Sequence, residues 1–535
     1  MEKAVLYLDK HFPAGRIDRR LFGSFLEHLG RAVYQGIYQP GQASADERGF
    51  RRDTLDLVRE LQVPIVRYPG GNFLSAYNWE DTVGPREARP RRTDPAWSSI
   101  ETNEFGLNEF MDWCRAAGTE PMMAVNLGTR GVDAAKNVLE YCNFPGGTYY
   151  SDLRRSHGWE KPHGVKVWCL GNEMDGPWQI GQKKAWEYGH LASQTARVMR
   201  AIDPDIELVA CGSSTATMSS FGSWELEMLE ECYDDVDHLS MHAYYGKFTG
   251  DSRDLLACPV EMDRFIDAGV AMCDAMQAKK RSRRRLSIAF DEWNVNYHFR
   301  MSRSNAADWR EWYLTSPTFE QFREKFLDAL PKDPPYAWET APHRLEDVYT
   351  LEDAVAFGGL LISLLRHCDR VHIACQAQLV NVIAPILTTD RGAWRQTIFY
   401  PYLHAAACTG SVLQTRVQGP RFESRVYGEV DCIDCAPVLS PDERTLTLLV
   451  VNRDLENPIE LECDLRQFEG WQVESHLVLN HEDLLAANTE QAPETVTPRA
   501  AQMPARLEGG VLHAPLEKHS WNVIRIRDAA TERGN

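Results

Sequence analysis

The sequence predicts a (β/α)8 barrel followed by an all-β sandwich of jelly-roll type, and three observations carry that reading. Short apolar runs alternate with longer helical patterns eight times between residues 21 and 395. No glycine-rich phosphate loop follows the first run, which weighs against an open dinucleotide-binding sheet. Beyond about Tyr400 the texture changes to short β-branched segments separated by turn residues.

The elements follow in order. A first strand, Ala4 to Leu8, precedes the barrel, and residues 1–20 are expected to join the sandwich. The eight barrel strands are then Leu21–Leu26, Pro64–Tyr68, Pro121–Asn126, Val165–Leu170, Glu207–Cys211, His238–His242, Leu286–Phe290 and Val371–Cys375. Between them lie patterns such as Asp53–Leu61, Asn108–Ala117 and Lys183–Ile202, with apolar residues at helical spacing. Eight units in residues 21–395 suit a closed barrel carrying an insertion, placed near 299–335. The domain formed by 396–535 takes its strands from Ser424–Tyr427, Thr445–Val451, Trp471–Leu479 and Trp521–Ile526.

Composition narrows the function classes. The 535 residues hold 58 Lys and Arg against 77 Asp and Glu, a formal charge of −19, which argues against gripping nucleic acid or an anionic membrane. No apolar stretch approaches the ~20 residues of a membrane span, and Arg366 ends the most apolar one, Phe357–Leu365, early. The N-terminal apolar run is too short for a signal peptide. Thirteen cysteines, an odd number set mostly in apolar segments, read as free thiols in a reducing compartment. A cytoplasmic protein is expected. Cys432 and Cys435 form the one close pair, without the second pair or histidines that zinc would need.

In a barrel the reactive side chains sit where strands end and βα loops begin. Those positions hold Glu27-His28, Arg67-Tyr-Pro-Gly-Gly-Asn72, Asn126, Gly171-Asn-Glu-Met-Asp-Gly-Pro-Trp178, His242-Ala-Tyr-Tyr245, Asp291-Glu-Trp-Asn294 and Gln376-Ala-Gln-Leu-Val-Asn381. Glu173 after strand four and Glu292 after strand seven stand out, because the two strand ends face each other across the mouth. Two carboxyls of opposite protonation are what glycosidic cleavage requires: one attacks the anomeric carbon, the other protonates the leaving oxygen. A separation of about 5–5.5 Å between them would mean retention through a covalent intermediate. No Gly-x-Ser-x-Gly stands at a strand end, so a serine hydrolase is not supported. Glu27, His28 and His242 could be imagined as metal ligands, but satisfied polar histidines are the commoner case and no metal is expected.

The strand-end motifs together resemble glycoside hydrolase family 51, the α-L-arabinofuranosidases. The likeness rests on Gly23-Ser-Phe-Leu-Glu-His-Leu-Gly-Arg-Ala-Val-Tyr34, Arg67–Asn72 with Tyr77-Asn-Trp-Glu-Asp81, Leu170–Gln179, Phe290–Val295 and Ala377–Pro385. It spans nearly the whole chain. It implies Glu173 as acid/base and Glu292 as nucleophile. Glu27, Asn72, Asn172, Tyr244 and Gln378 resemble the residues that hydrogen-bond the furanose hydroxyls, with Asn172 on the 2-hydroxyl. Tyr244 would also orient the nucleophile, with His242 in the same shell, and Trp97 and Trp178 would wall the sugar pocket. The resemblance also implies an exo-acting, retaining enzyme on short arabino- or arabinoxylo-oligosaccharides, without a cofactor and as a homo-oligomer, commonly a hexamer. Donors around Glu292 are expected to lower its pKa.

Two departures qualify the likeness. Asn296 stands where the family pattern carries an aromatic, and the segment from Phe299 to Pro335 is longer than the pattern. Its Phe319, Phe322 and Phe326 fall on one helical face behind a capping box at Thr318, suited to docking on the barrel, and Trp309 and Trp312 precede it. These keep open a same-scaffold enzyme of shifted specificity, a β-xylosidase or endo-β-glucanase. A silent carbohydrate-binding protein is the rival of another class. The basic run Lys279–Arg285 is expected as a solvated turn away from the chemistry.

Overall fold

The computed structural model describes residues 1–247, 249–295 and 338–529. Asn296, the 299–335 insertion with Trp309 and Trp312, and the tail from Thr531 lie outside the described residues.

Strand β1 (Glu2–Arg16) belongs to the sheet of the C-terminal domain. Eight parallel strands then close a barrel: β2 (Gly23–Phe25), β3 (Ile65–Tyr68), β4 (Glu120–Val125), β5 (Val167–Leu170), β6 (Glu207–Cys211), β7 (His238–Tyr245), β8 (Ser287–Val295) and β9 (Val371–Ala377). The order around the barrel follows the chain, with β9 pairing to β2 to complete the ring. The helices that follow the strands include α1 (Arg52–Glu60), α2 (Leu107–Ala117), α3 (Ala185–Ile202), α4 (Pro259–Lys280) and α5 (Leu351–Arg366). All eight predicted barrel strands fall on observed ones. β7 and β8 run further than expected, so that Glu292 lies inside a strand.

The core of the C-terminal domain is one continuous sheet of ten strands, β1 among them. The others are β10 (Ser411–Gln418), β11 (Ile433–Leu439), β12 (Thr445–Asn452), β13 (Ile459–Asp464), β14 (Trp471–Leu479), β15 (Arg499–Ala500), β16 (Arg506–Glu508), β17 (Val511–Leu516) and β18 (Ser520–Asp528). Their order is β15-β14-β18-β12-β11-β10-β1-β13-β17-β16. Leu461, Leu512 and Leu516 from one side share a buried cluster with Leu448, Val450, Ile524 and Ile526 from the other. The sheet therefore folds over its own core, which makes the sandwich. β1 is antiparallel to β10 and parallel to β13, with Ala4 and Leu6 buried in that cluster and Pro13 at a register shift, where a missing N–H does least harm.

One expected strand is a turn. Residues 425–427 join the hairpin strands Arg421–Ser424 and Gly428–Asp431. The Ser424 hydroxyl accepts the N–H groups of Val426 and Tyr427 at 3.2 and 3.1 Å, and this local bonding outcompetes the β propensity of Val-Tyr.

The sandwich docks on α5, which is buried along almost its whole length. Gly358 makes this possible: a Cβ there would stand 2.5 Å from the Trp521 ring. Arg366 at the end of the helix bridges Asp263 of the barrel and Asp434 of the sandwich. The basic run caps α4 below the barrel, where Arg284 donates to Asp237 at 2.6 Å and Lys279 pairs with Glu230. All thirteen cysteines are buried free thiols. Among the described residues no helix is long and apolar enough to cross a membrane.

Candidate active site

The site begins with a defect in β8. Against β7, Ala289 pairs with Ser240 and Glu292 with His242; against β9, Phe290 pairs with Ala374 and Trp293 with Gln376. On each side three residues of β8 span two of its neighbour, which is a bulge. Neighbouring residues of a regular strand point to opposite faces. The bulge instead lets Asp291 and Glu292 both face the interior, where both reach Arg67 of β3.

β7 delivers Ser240, His242 and Tyr244 at the two-residue spacing that places them on one face. The Tyr244 hydroxyl donates to Glu292 Oε1 at 2.6 Å, and Arg67 donates to Glu292 Oε2 at 2.9 Å. The other arm of Arg67 donates to Asn172 Oδ1 at 2.6 Å, while its Nε lies 3.0 Å from Asp291. Glu173 follows β5 in the left-handed region, φ 43°, directly after Gly171 and Asn172. It accepts the Trp178 indole N–H at 2.5 Å on Oε2 and faces His242 Nδ1 at 3.0 Å on Oε1. One oxygen of Glu173, one of Glu292 and a ring nitrogen of His242 lie within 4.8 Å of one another.

Glu27, behind β2, accepts from the Phe73 backbone and the Trp97 indole, both at 3.0 Å, and from the Gln378 amide at 3.3 Å. Asn72 and Asn172 approach at 3.5 Å. The structure thus gathers all ten sequence-predicted residues at one mouth. Glu27, Asn172, Glu173, His242, Glu292 and Gln378 are buried, while Asn72, Trp97, Trp178 and Tyr244 are half-buried.

Charge in the cluster is nearly balanced. Burial opposes a charge on His242, but Glu292, the bonds to Asp291 and Glu173, and the Asp291 charge raise its pKa to about 10. Burial likewise disfavours ionised Asp291, yet Arg67 and His242 hold it at about 2. Two cations, Arg67 and His242, therefore face Asp291 and the glutamate pair. Glu292 differs from the sequence expectation: its carboxyl is pushed up. Burial is the largest cause and the nearby Glu173 adds to it, against His242, Arg67 and the Tyr244 hydroxyl. The expected donors are present, but complete desolvation outweighs them. Burial and the charge of Glu292 also push Glu27 up to about 8.

His28 does not join this cluster. It sits between Glu101 and Tyr68, 2.7 Å from each, stacked on Phe73. Glu173, His242 and Glu292 could present ligand atoms to a divalent ion, but only after the imidazolium proton is displaced, with the Arg67 guanidinium beside them. Sequence reasoning passed over Arg67, Asp291 and Asp175. Arg67 had a signal, as the one arginine in the eight apolar runs. Asp175 is buried and accepts the Ser214 N–H at 3.1 Å, which ties the loop after β5 to the loop after β6; burial pushes it up to about 8.

Paired carboxyls across the mouth of a (β/α)8 barrel define a glycoside hydrolase. Family models described as the α-L-arabinofuranosidase 1 domain and the α-L-arabinofuranosidase C-terminal domain match residues 57–253 and 291–520. The chain belongs to glycoside hydrolase family 51, the α-L-arabinofuranosidases. It is 51 % identical to an intracellular exo-α-(1→5)-L-arabinofuranosidase of Halalkalibacterium halodurans, over 98 % of this chain and 99 % of the relative. It is 44 % identical to an exo-α-(1→6)-L-arabinofuranosidase of Bifidobacterium longum, over 98 % of each. Among solved structures, a family 51 α-L-arabinofuranosidase from Bifidobacterium longum superposes with a TM-score of 0.87 at 41 % identity, covering 98 % of this chain and 99 % of that one. The arabinose complex of the Thermotoga maritima α-L-arabinofuranosidase gives 0.83 at 30 % identity, covering 98 % and 100 %.

Proposed function

We propose that the chain is a retaining exo-α-L-arabinofuranosidase that removes terminal arabinofuranosyl residues from arabino- and arabinoxylo-oligosaccharides inside the cell. The observation that carries this is the Glu173–Glu292 pair with oxygens within 4.8 Å. An inverting enzyme keeps its carboxyls about 6.5–9.5 Å apart to admit a water, and the short approach of these two supports the retaining reading. The linkage preference rests on relatives named for α-(1→5) bonds, and the intracellular setting on their names and on thirteen unpaired buried thiols.

In the first half-reaction a Glu292 oxygen bonds to the anomeric carbon while the glycosidic C–O bond breaks. Its electron pair stays with the leaving oxygen, which takes the proton of Glu173. In the second, Glu173 takes a proton from water, the water oxygen bonds to the anomeric carbon, and the Glu292 ester bond breaks. Asn172, oriented by Arg67, is placed to hold the 2-hydroxyl, a bond that strengthens as positive charge builds on the ring. Glu27, Asn72 and Gln378 hold the remaining hydroxyls, with Trp97 and Trp178 as walls.

A panel of 4-nitrophenyl glycosides tests the reading. Turnover of the α-L-arabinofuranoside well above the β-D-xyloside and β-D-glucoside is expected, with NMR showing the α-anomer of arabinose released first. Dominant xyloside cleavage, or initial release of the β-anomer, would overturn it.

A further inference from the structure

We propose that His242 is a counter-ion shared by both carboxyls of the glycosidic reaction, and that Asp291 is the positioning residue that anchors it. The inference rests on the reading of Glu173 as acid/base and Glu292 as nucleophile.

Both ring nitrogens of His242 are occupied by protein groups. Nδ1 lies 3.0 Å from Glu173 and 3.6 Å from Glu292; Nε2 lies 3.2 Å from the Ser240 hydroxyl and 3.5 Å from Asp291. The Ser240 hydroxyl itself donates to Asp291 at 2.5 Å, which closes a ring around the buried imidazole. A side chain so engaged has no donor left for a sugar hydroxyl, although it sits in the sugar-binding shell. Its free choice is between the two glutamates. The charged and titratable groups facing it are Glu173, Asp291 and Glu292, with Arg67 from β3, Glu27 behind Glu292, and the Cys169 thiol 3.7 Å from Asp291.

Charge bookkeeping across the reaction explains why one cation serves two carboxyls. At the outset Glu292 is the anion and Glu173 holds the proton. After glycosylation Glu292 is a neutral ester and Glu173, its proton gone to the leaving oxygen, is the anion. Hydrolysis reverses the exchange. The net charge is constant and only its address changes, over less than 5 Å. A protonated imidazole between the two stands beside whichever carboxyl is gaining charge: Glu173 in the first step, the departing Glu292 in the second. Fixed dipoles and ions that need no reorganisation are the efficient form of such stabilisation. Glu292 does most to keep the ring charged, and Asp291 aims its Nδ1 at the mouth.

The test uses His242→Gln and Asp291→Asn with two substrates. With 4-nitrophenyl α-L-arabinofuranoside, stopped-flow bursts separate the two steps; an α-(1→5)-linked arabinobiose reports the first. His242→Gln is expected to slow both steps at least tenfold. The acidic limb of its kcat/KM profile should move to higher pH, because a cation next to the nucleophile is gone. Asp291→Asn should move that limb to lower pH, because an anion is gone while the imidazolium remains. A purely structural role gives no such opposite shifts. Slowing of one step only, or limbs that move together or not at all, would overturn the proposal. Should a variant not fold, 15N-histidine NMR of the wild-type protein decides: His242 doubly protonated in both the free and the covalently trapped enzyme supports it, and a neutral ring in either overturns it. Turnover surviving in Glu292→Ala would instead refute the underlying assignment, independently of His242.

Discussion

Replacing Arg67 by lysine keeps the charge and removes the fork, so it isolates what geometry contributes at the centre of the site. The guanidinium holds three partners at once: Glu292 at 2.9 Å, Asn172 at 2.6 Å and Asp291 at 3.0 Å. A lysine ammonium is a point donor on a flexible stem and can keep one of them well. Hydrogen bonds to charged groups contribute about 1.5–3 kcal/mol each. Loss of one of the two hydrogen bonds and of the Asp291 ion pair therefore removes about 3–6 kcal/mol in total, shared between folding and the transition state. With about half of it felt in the transition state, through a wandering nucleophile and a misaimed Asn172, kcat/KM falls about 10- to 10²-fold, at ~1.4 kcal/mol per decade. Initial rates on 4-nitrophenyl α-L-arabinofuranoside measure this, with melting followed by circular dichroism to show that the variant is folded. A cooperatively folded Arg67→Lys enzyme within fivefold of the wild type would refute the reasoning and leave Arg67 as a structural ion.

Glu173→Ala should lose most activity on arabino-oligosaccharides yet retain it on dinitrophenyl leaving groups, and added azide should give the α-arabinofuranosyl azide; equal losses on both substrates would remove Glu173 from the acid/base role. Gly358→Ala drives a methyl to 2.5 Å from the Trp521 ring between barrel and sandwich. Overpacking of this kind costs about 1–3 kcal/mol, so a lower melting temperature with unchanged kcat/KM is expected, and an unchanged melt would show that the interface yields easily. Glu27→Gln probes pH linkage. Glu27 is raised to about 8 by burial and by Glu292, so the folded state binds its proton more tightly than the unfolded chain. Its stabilising contribution is complete below the ordinary carboxyl range and is lost as pH rises through about 8. Denaturant titrations should show the wild type losing, relative to the glutamine variant, on the order of 4 kcal/mol between pH 4.5 and 8; a constant difference would mean that Glu27 is already ionised in the fold.

The barrel and both glutamates were legible because a barrel strand prints its function at its end. An apolar run stops, and the polar side chains at or just past its end line the mouth; Glu173, His242 and Gln378 all lie within three residues of such an end. What escaped depends on relations that no local pattern encodes. Arg67 meets Glu292 across 225 positions of chain, and its neighbours Val66 and Tyr68 say only that a strand passes there. The β8 bulge is a property of three paired strands. Phe290-Asp-Glu-Trp reads equally well as a regular alternation in which Asp291 faces outward, and on that reading the anchor of Arg67 and His242 vanishes from the site. The direction of the Glu292 pKa shift escaped for a related reason: donors can be named from a motif, whereas the dryness around them comes from the closing of the whole mouth. Residue identity was thus readable one strand at a time, but the electrostatics had to await the assembled ring, since each of the two cations is positioned by an anion on a different strand. A change at Asp291 or Arg67 therefore alters the charge balance that both carboxyls share.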